Sequence, residues 1–205
     1  ICEFNAIACL PERTMVFPDL CHGCAGCWLV CPQHAITPGE RTVGDVATGK
    51  AGDIAFTHGV LRVGETLVPP LIGAVKQRTT GASWIILDAP PGTTCPVVAT
   101  MKDADYVVLV TEPSPFGLHD LALAVKLTRG LGRPCGVVVN RALPGRDLIA
   151  HFCASEGLPL LASIPFRRDV AAACAEGALA IDADRAVAEA MFDLLQALLR
   201  EEEAA

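Results

Sequence analysis

Four cysteines, Cys21, Cys24, Cys27 and Cys31, stand in the spacing C-x-x-C-x-x-C-x-x-x-C and are followed directly by Pro32. Two residues between successive sulfurs let three thiolates converge on one centre from a single tight loop, and Gly23 and Gly26 supply the backbone freedom such a loop requires. Thiolates in this run, with a proline after the fourth, hold an iron–sulfur cluster. A tetrahedral zinc site could use the same sulfurs, although structural zinc sites usually split their ligands into two separated pairs. His22 sits among these cysteines and reads as a solvent-facing loop residue, with an imidazole ligand as the alternative.

A second, partial copy of the block opens the chain. Cys2-Glu3-Phe4-Asn5-Ala6-Ile7 aligns with Cys31-Pro32-Gln33-His34-Ala35-Ile36, sharing Cys-x-x-x-Ala-Ile. The fourth cysteine of such a run normally serves the other cluster of a pair. Cys21, Cys24 and Cys27 should therefore share a cluster with Cys2, leaving Cys31 to a second cluster. The remaining ligands of that second cluster would lie before Ile1, so the sequence reads as N-terminally truncated, with two clusters in the full-length form.

Composition restricts the surroundings of these residues. The 205 residues are 52% hydrophobic and 19% charged, which is the balance of a folded chain. A net charge of −7 leaves no basic face for neutralising phosphates, so no nucleic-acid partner is expected. No apolar run approaches the roughly 18 residues that span a bilayer, so no membrane insertion is expected. Of the ten cysteines, four fall in one short block at ligand spacing and others lie in apolar strand or helix patterns. That is the profile of a reducing compartment and predicts a cytoplasmic protein.

Two textures follow along the chain. Residues 1 to about 40 are short segments punctuated by Cys, Pro and Gly, with Thr14–Phe17 strand-like between the two cysteine copies, and residues 41–60 read as a hairpin. Beyond about residue 60, Trp84–Leu87, Tyr106–Val110, Gly136–Val139 and Leu160–Ile164 are short continuous apolar runs, which fit strands buried on both faces of a parallel sheet. Helical patterns at Leu118–Leu131, Asp147–Glu156 and Asp169–Glu176 alternate with them, so the expected fold is α/β with a doubly wound, mostly parallel sheet. A last helix, Ala183–Arg200, places Val187, Met191, Leu194, Leu195 and Leu198 on one stripe and should dock on the core.

The strand at residues 84–87 leads into Asp88, and a carboxylate at the C-terminal end of a central parallel strand lies where such sheets bind ligands. An Asp opening such a loop can equally be a helix cap. Asp88-Ala89-Pro90-Pro91-Gly92, Val110-Thr111-Glu112-Pro113, Phe116-Gly117-Leu118-His119-Asp120, Asn140-Arg141 and Ile164-Pro165-Phe166 together resemble the MinD/Mrp-type P-loop ATPases. With the cysteine block, the chain is similar to the branch of that superfamily carrying an inserted two-cluster ferredoxin domain. The resemblance implies a P-loop NTPase-like α/β domain over 57–205 and a small ferredoxin-like insert over 1–56. It also implies site roles. Asp88 would match the catalytic Walker-B carboxylate that positions Mg2+ and water, and Pro91-Gly92 the switch beside the γ-phosphate. Asn140, with Arg141 beside it, would read the adenine edge, and the Pro165 loop would pack near the base. ATP, Mg2+ and 4Fe-4S clusters are the implied cofactors. The implied partners are a second copy or a similar ATPase subunit, giving a homodimer or heterodimer, and a redox protein.

One part of the family pattern is missing. No G-x-x-x-x-G-K-S/T run occurs anywhere in the 205 residues, and without the backbone N–H groups and Lys that cradle phosphates the chain as it stands should not hydrolyse ATP. Two functions are therefore carried forward: an iron–sulfur P-loop ATPase coupling nucleotide binding to electron transfer or cluster handling, and a non-hydrolysing electron-carrier or binding module on a nucleotide-type scaffold. Elsewhere, Cys9, Cys95, Cys135, Cys153 and Cys174 are expected as core side chains, Cys95 in the first turn of a helix. His119, Asp120 and His151 are expected at the surface, and Glu112 is either solvated or part of the ligand-binding edge.

Overall fold

Short antiparallel pairing organises the cysteine-bearing part of the chain. In a computed structural model, which describes residues 1–79 and 81–204, β1 (Ile7–Cys9) pairs with β2 (Thr14–Val16) from Ile7↔Val16 to Cys9↔Thr14. The Phe17 N–H adds a further bond of 2.8 Å to the Ala6 carbonyl, so the chain on either side of this small ladder runs side by side. A 3-10 turn at Pro18–Leu20 then leads into Cys21, and the short helix α1 (Gly26–Val30) starts inside the cysteine block with Ala25 at φ +61° before it.

A longer hairpin follows. β3 (Gly44–Ala51) and β4 (Ile54–Leu61) are in register from Gly44↔Leu61 to Ala51↔Ile54, and Gly52 takes φ +59° in the connecting two-residue turn. Helix α2 (Pro69–Lys76) buries Leu71 against this hairpin, where a Cβ on Gly59 would stand 2.8 Å from the Leu71 Cγ. The absence of a side chain at Gly59 is what lets the helix seat. These elements belong to one compact unit, Ile1–Ile86, and the rest form a second, Leu87–Ala205. The boundary expected at 56/57 falls inside β4.

The apolar run Trp84–Leu87, expected as a buried parallel strand, is not one. It pairs with no described strand, and Ile85 and Ile86 are 48% and 91% exposed. A run becomes a strand only when a neighbour satisfies its N–H and C=O groups, and hydrophobicity alone does not supply that neighbour.

In the second unit, β5 (Val107–Thr111), β6 (Cys135–Ala142) and β7 (Leu160–Pro165) form a parallel sheet in the order β5-β6-β7. Alternating side chains bury both faces, which is why these strands read as continuous apolar runs. Val107, Leu109, Val137 and Val139 meet Val97 and Met101 of α3 (Cys95–Met101), Leu121 and Val125 of α4 (Pro115–Gly130), and Ile149 and Cys153 of α5 (Leu148–Glu156). On the opposite face, Val138, Leu161 and Ala162 meet Leu194, Ala197 and Leu198 of α8 (Arg185–Ala204). The shorter α6 (Arg168–Ala175) and α7 (Ala180–Ala183) lie between β7 and α8 in the chain. Helices on both faces of a parallel sheet give the doubly wound α/β class expected from the sequence. α8 docks as expected but on a slightly rotated stripe: Val187, Ala190 and Ala197 are buried, whereas Met191 and Leu195 are 39% and 46% exposed. No helix among the described residues is long and apolar enough to cross a membrane.

Packing of the sheet is tight enough to test. A Cβ on Gly136 would stand 2.6 Å from the Tyr106 hydroxyl oxygen and 2.7 Å from Leu161 Cδ1. Overpacking of this kind costs about 1–3 kcal/mol. Gly136→Ala is therefore expected to lower the unfolding free energy by that much, seen as a lower urea midpoint in the loss of far-ultraviolet circular dichroism. An unchanged midpoint would show that the strand accommodates the methyl.

Candidate functional sites

The two copies of the cysteine pattern adopt the same loop. Three residues after Cys2, Asn5 takes φ +53° and its N–H bonds the Cys2 carbonyl at 3.2 Å; three residues after Cys31, His34 takes φ +49° and its N–H bonds the Cys31 carbonyl at 3.1 Å. One residue further on, the Ala6 N–H donates to Cys2 Sγ at 3.3 Å and the Ala35 N–H to Cys31 Sγ at 3.4 Å. The shared Cys-x-x-x-Ala in the sequence is thus a shared N–H···S turn. In the central block the Gly23 N–H donates to Cys21 Sγ at 3.4 Å, with Gly23 itself at φ +65°.

Such bonds favour the charged sulfur. The Ala6 N–H, helped by the N–H of Phe4, holds the Cys2 thiol below its ordinary range, and the Ala35 and Gln33 N–H groups do the same for Cys31. Lowered thiol pKa values are what metal ligation and cluster binding ask of cysteine. Among the described residues no group of three or more His, Cys, Asp or Glu side chains is arranged to hold a metal ion. It is the spacing of the four thiolates, with a proline after the fourth, that fits an iron–sulfur cluster.

His22 is exposed, as expected of a loop residue, but it is not free: its ring stacks on Phe4 with centroids 3.7 Å apart and planes 7° apart. The turn before Cys21 is also anchored. Arg41 Nη1 donates to the Pro18 carbonyl and Arg62 Nη2 bonds Asp19 Oδ1 at 3.1 Å. Both arginines are held by Glu65, whose side chain is 1% exposed and lies 2.8 Å from Arg41 Nη2 and 3.6 Å from Arg62 Nη2. The Glu65 carboxylate also accepts the Thr66 and Leu67 N–H groups at 2.9 Å each. Sequence reasoning missed this assembly and the ring stack. The charges of Arg41, Arg62 and Glu65 stand at no motif spacing, and only the fold brings them together.

In the second unit the structure gathers three of the expected site residues. Asn140, Arg141 and Pro165 line a pocket of about 410 Å³ whose other walls include Ile164, Val170, Leu179, Ile181 and Val187. Asn140 and Arg141 come to its edge because the β6–β7 register shifts between Val139 and Ala142, where Arg141 takes φ +54° and its N–H donates to Asn140 Oδ1 at 2.9 Å. Arg141 Nη1 reaches Glu112 Oε1 at 3.0 Å, so Glu112 at the end of β5 is paired with it. On the far side Arg167 bonds Asp184 at 3.3 Å, and Asp184 also accepts the Val187 N–H at 3.0 Å. Mostly apolar walls with a few polar atoms at the rim suit a flat ring with a polar edge.

Asp88, Pro91 and Gly92 do not line this pocket. They lie in an exposed loop ahead of α3, with Gly92 at φ +95°. Of the cysteines expected in the core, Cys153 is buried and Cys135 half-buried, and burial pushes both thiols up. Cys9, Cys95 and Cys174 are exposed instead. Cys95 does open α3, but in a first turn facing solvent, and α6, which carries Cys174, buries no residue fully. His119, Asp120 and His151 are exposed, as expected.

Comparison with known proteins agrees with both halves. Residues 14–37 match the family described as the 4Fe-4S binding domain. Two uncharacterised proteins of Methanocaldococcus jannaschii are similar, one 28% identical over 69% of this chain and the other 29% identical over 97% of it. The chain spans 52% and 68% of their respective lengths. An iron–sulfur cluster carrier protein of Rickettsia typhi is 30% identical over 103 residues, which is 48% of this chain and 32% of that protein. Among solved structures, the cell division ATPase MinD of Pyrococcus furiosus superposes with a TM-score of 0.52 at 24% identity, covering 67% of this chain and 58% of that one. The second unit thus has the fold of MinD, and the chain is similar to iron–sulfur cluster carrier proteins and carries a segment that matches the 4Fe-4S binding domain.

Proposed function

We propose that the protein is an iron–sulfur P-loop ATPase that couples nucleotide binding to electron transfer or to cluster handling in a reducing cytoplasm. Cys21, Cys24 and Cys27 hold one 4Fe-4S cluster with Cys2 as fourth ligand, and Cys31 serves a second. The cluster supplies one-electron chemistry, or is itself the cargo, as the name of the Rickettsia typhi relative suggests. This chain's residues supply the thiolates and the N–H groups that stabilise them. In the second unit Asn140 and Arg141 present polar atoms to the adenine edge while Pro165 packs on the base. Asp88 positions Mg2+ and water, with Pro91 and Gly92 beside the γ-phosphate, and two similar subunits close on the nucleotide as a homodimer or heterodimer.

The observation that carries this reading is the repeated N–H···S turn at Cys2 and Cys31 in a chain whose other unit has the MinD fold. Anaerobic reconstitution with iron and sulfide, followed by iron and acid-labile sulfide determination, tests the first half. Calorimetric titration with ATP and Mg2+ tests the second, with Asn140→Ala expected to weaken binding about tenfold, the scale of one lost hydrogen bond to a base. A colourless protein that takes up zinc in place of iron would overturn the cluster assignment.

The alternative, a non-hydrolysing electron-carrier module, is favoured by one observation: the 205 residues contain no phosphate-binding loop of the G-x-x-x-x-G-K-S/T kind. The coding sequence on either side of them decides whether one is supplied. Cluster uptake with no response to ATP, in protein that includes any such loop, would select the alternative.

A further inference from the structure

The β1–β2 ladder sets the stage for a contact that neither strand makes. With Ile7 opposite Val16 and the Phe17 N–H on the Ala6 carbonyl, the segment before β1 is turned back alongside the segment after β2. Cys2 and Cys21 belong to those two segments, and among the described residues no backbone bond joins the segments beyond Ala6 and Phe17. What joins them there is a pair of rings. Phe4, two residues after Cys2, lies face to face with His22, the residue after Cys21, at a centroid separation of 3.7 Å and an interplanar angle of 7°. Phe4 is 41% exposed, so core burial does not account for its position. Its ring makes no other described ring contact.

We propose that the Phe4–His22 stack is a clasp that positions Cys2 as the fourth ligand of the cluster held by Cys21, Cys24 and Cys27. This rests on the cluster assignment proposed above. Three of the four thiolates come from one loop and need no help in finding each other. The fourth comes from a different segment, and its loop would swing on the Ala6–Phe17 bond without a second attachment. Two attachments, the backbone bond and the ring stack, fix the direction of the Cys2 loop. Phe4 and His22 are positioning residues: neither touches iron, and both act through where the Cys2 sulfur stands.

The test uses the full chain, anaerobically reconstituted, and reads two quantities: the rate of iron release to a chelator and the electron paramagnetic resonance spectrum of the reduced protein. Residues that orient metal ligands typically change affinity 10–100-fold when removed, so His22→Ala is expected to release iron at least about tenfold faster and to change the spectrum. His22→Phe restores a flat ring and should return both readouts close to wild type, whereas His22→Gln, polar but without a ring, should behave like His22→Ala. A single shared contact also predicts non-additivity: the Phe4→Ala, His22→Ala double variant should lose no more than either single variant. A His22→Ala chain that takes up no cluster while His22→Phe does counts as the same result. Wild-type release from His22→Ala, or an additive double variant, overturns the clasp. The Cys2→Ser variant separates this from failure of the cluster assignment. If Cys2→Ser leaves release and spectrum unchanged, Cys2 is not a ligand and the assignment itself falls. If Cys2→Ser perturbs both but His22→Ala does not, the ligand stands and only the clasp is lost.

Discussion

Replacing Cys24 with Ser is expected to leave a chain that retains almost no iron after anaerobic reconstitution. Cys24 is the middle sulfur of the three in the central loop, and its Sγ lies beside Gly26, where a Cβ would stand 3.7 Å away in ordinary van der Waals contact. A serine hydroxyl is a harder donor than a thiolate and stays protonated at neutral pH, so it is a poor substitute for a soft ligand at an iron. Cys9, the remaining cysteine of this unit outside the two copies, stands in β1 opposite Thr14 and belongs to neither spaced run. Cys9→Ser is the matched control and should bind iron as wild type does. Iron and acid-labile sulfide per chain, with the brown absorbance, are the readouts. A Cys24→Ser protein that holds as much iron as wild type would remove the central loop from the cluster. The pair Cys2→Ser and Cys31→Ser then asks a finer question. If Cys2 completes this cluster, Cys2→Ser suffers and Cys31→Ser keeps it; the reverse result would make Cys21, Cys24, Cys27 and Cys31 one ordinary four-ligand set.

How much of this could be read before the fold was known depended on how local each signal was. Cysteine spacing is a local property, and the Cys-x-x-x-Ala match carried all the way to geometry, giving Asn5 and His34 the same left-handed turn and Ala6 and Ala35 the same bond to sulfur. The three strands of the parallel sheet were legible because burial on both faces leaves a continuous apolar run. Trp84–Leu87 carries the same signature and is still not a strand, because pairing is a property of the neighbour and not of the run. Cys9, Cys95 and Cys174 sit among apolar residues in the sequence, yet each falls on the solvent side of its element, a distinction that composition cannot draw. At the pocket of the second unit the resemblance picked out Asn140, Arg141 and Pro165, which the fold brings together, and Asp88, which is not among its lining residues. Arg41, Arg62 and Glu65 lie as much as 24 residues apart and had no pattern to announce them.

That last group leads to the second large effect, an acid sensitivity of the cluster-bearing unit that should depend on one carboxylate. Glu65 is held below the ordinary glutamate range chiefly by the Leu67 N–H, with the Thr66 N–H and Arg41 adding to it against the opposing effect of burial. A carboxyl whose folded pKa is depressed contributes stability that is fully present above its unfolded value, about 4.3, and is lost as pH falls through the lower folded value. Protonation would release Arg41 and Arg62 together, and with them the Pro18 carbonyl and Asp19 that fix the approach to Cys21. Wild-type stability should therefore be level at neutral pH and fall below about pH 4.3. Glu65→Gln keeps the shape and one acceptor oxygen but carries no charge at any pH. It should be less stable than wild type at pH 7, with a flatter profile across the acid window, and the two proteins should converge once the wild-type carboxyl is protonated. The chain offers a selective probe for this comparison, because its two tryptophans, Trp28 and Trp84, both belong to the Ile1–Ile86 unit. Urea unfolding of the cluster-free protein, followed by tryptophan fluorescence across pH, reads that unit alone. Parallel profiles for wild type and Glu65→Gln, separated by the same amount at pH 7 and in acid, would show that the charge on Glu65 does not hold the two arginines in place.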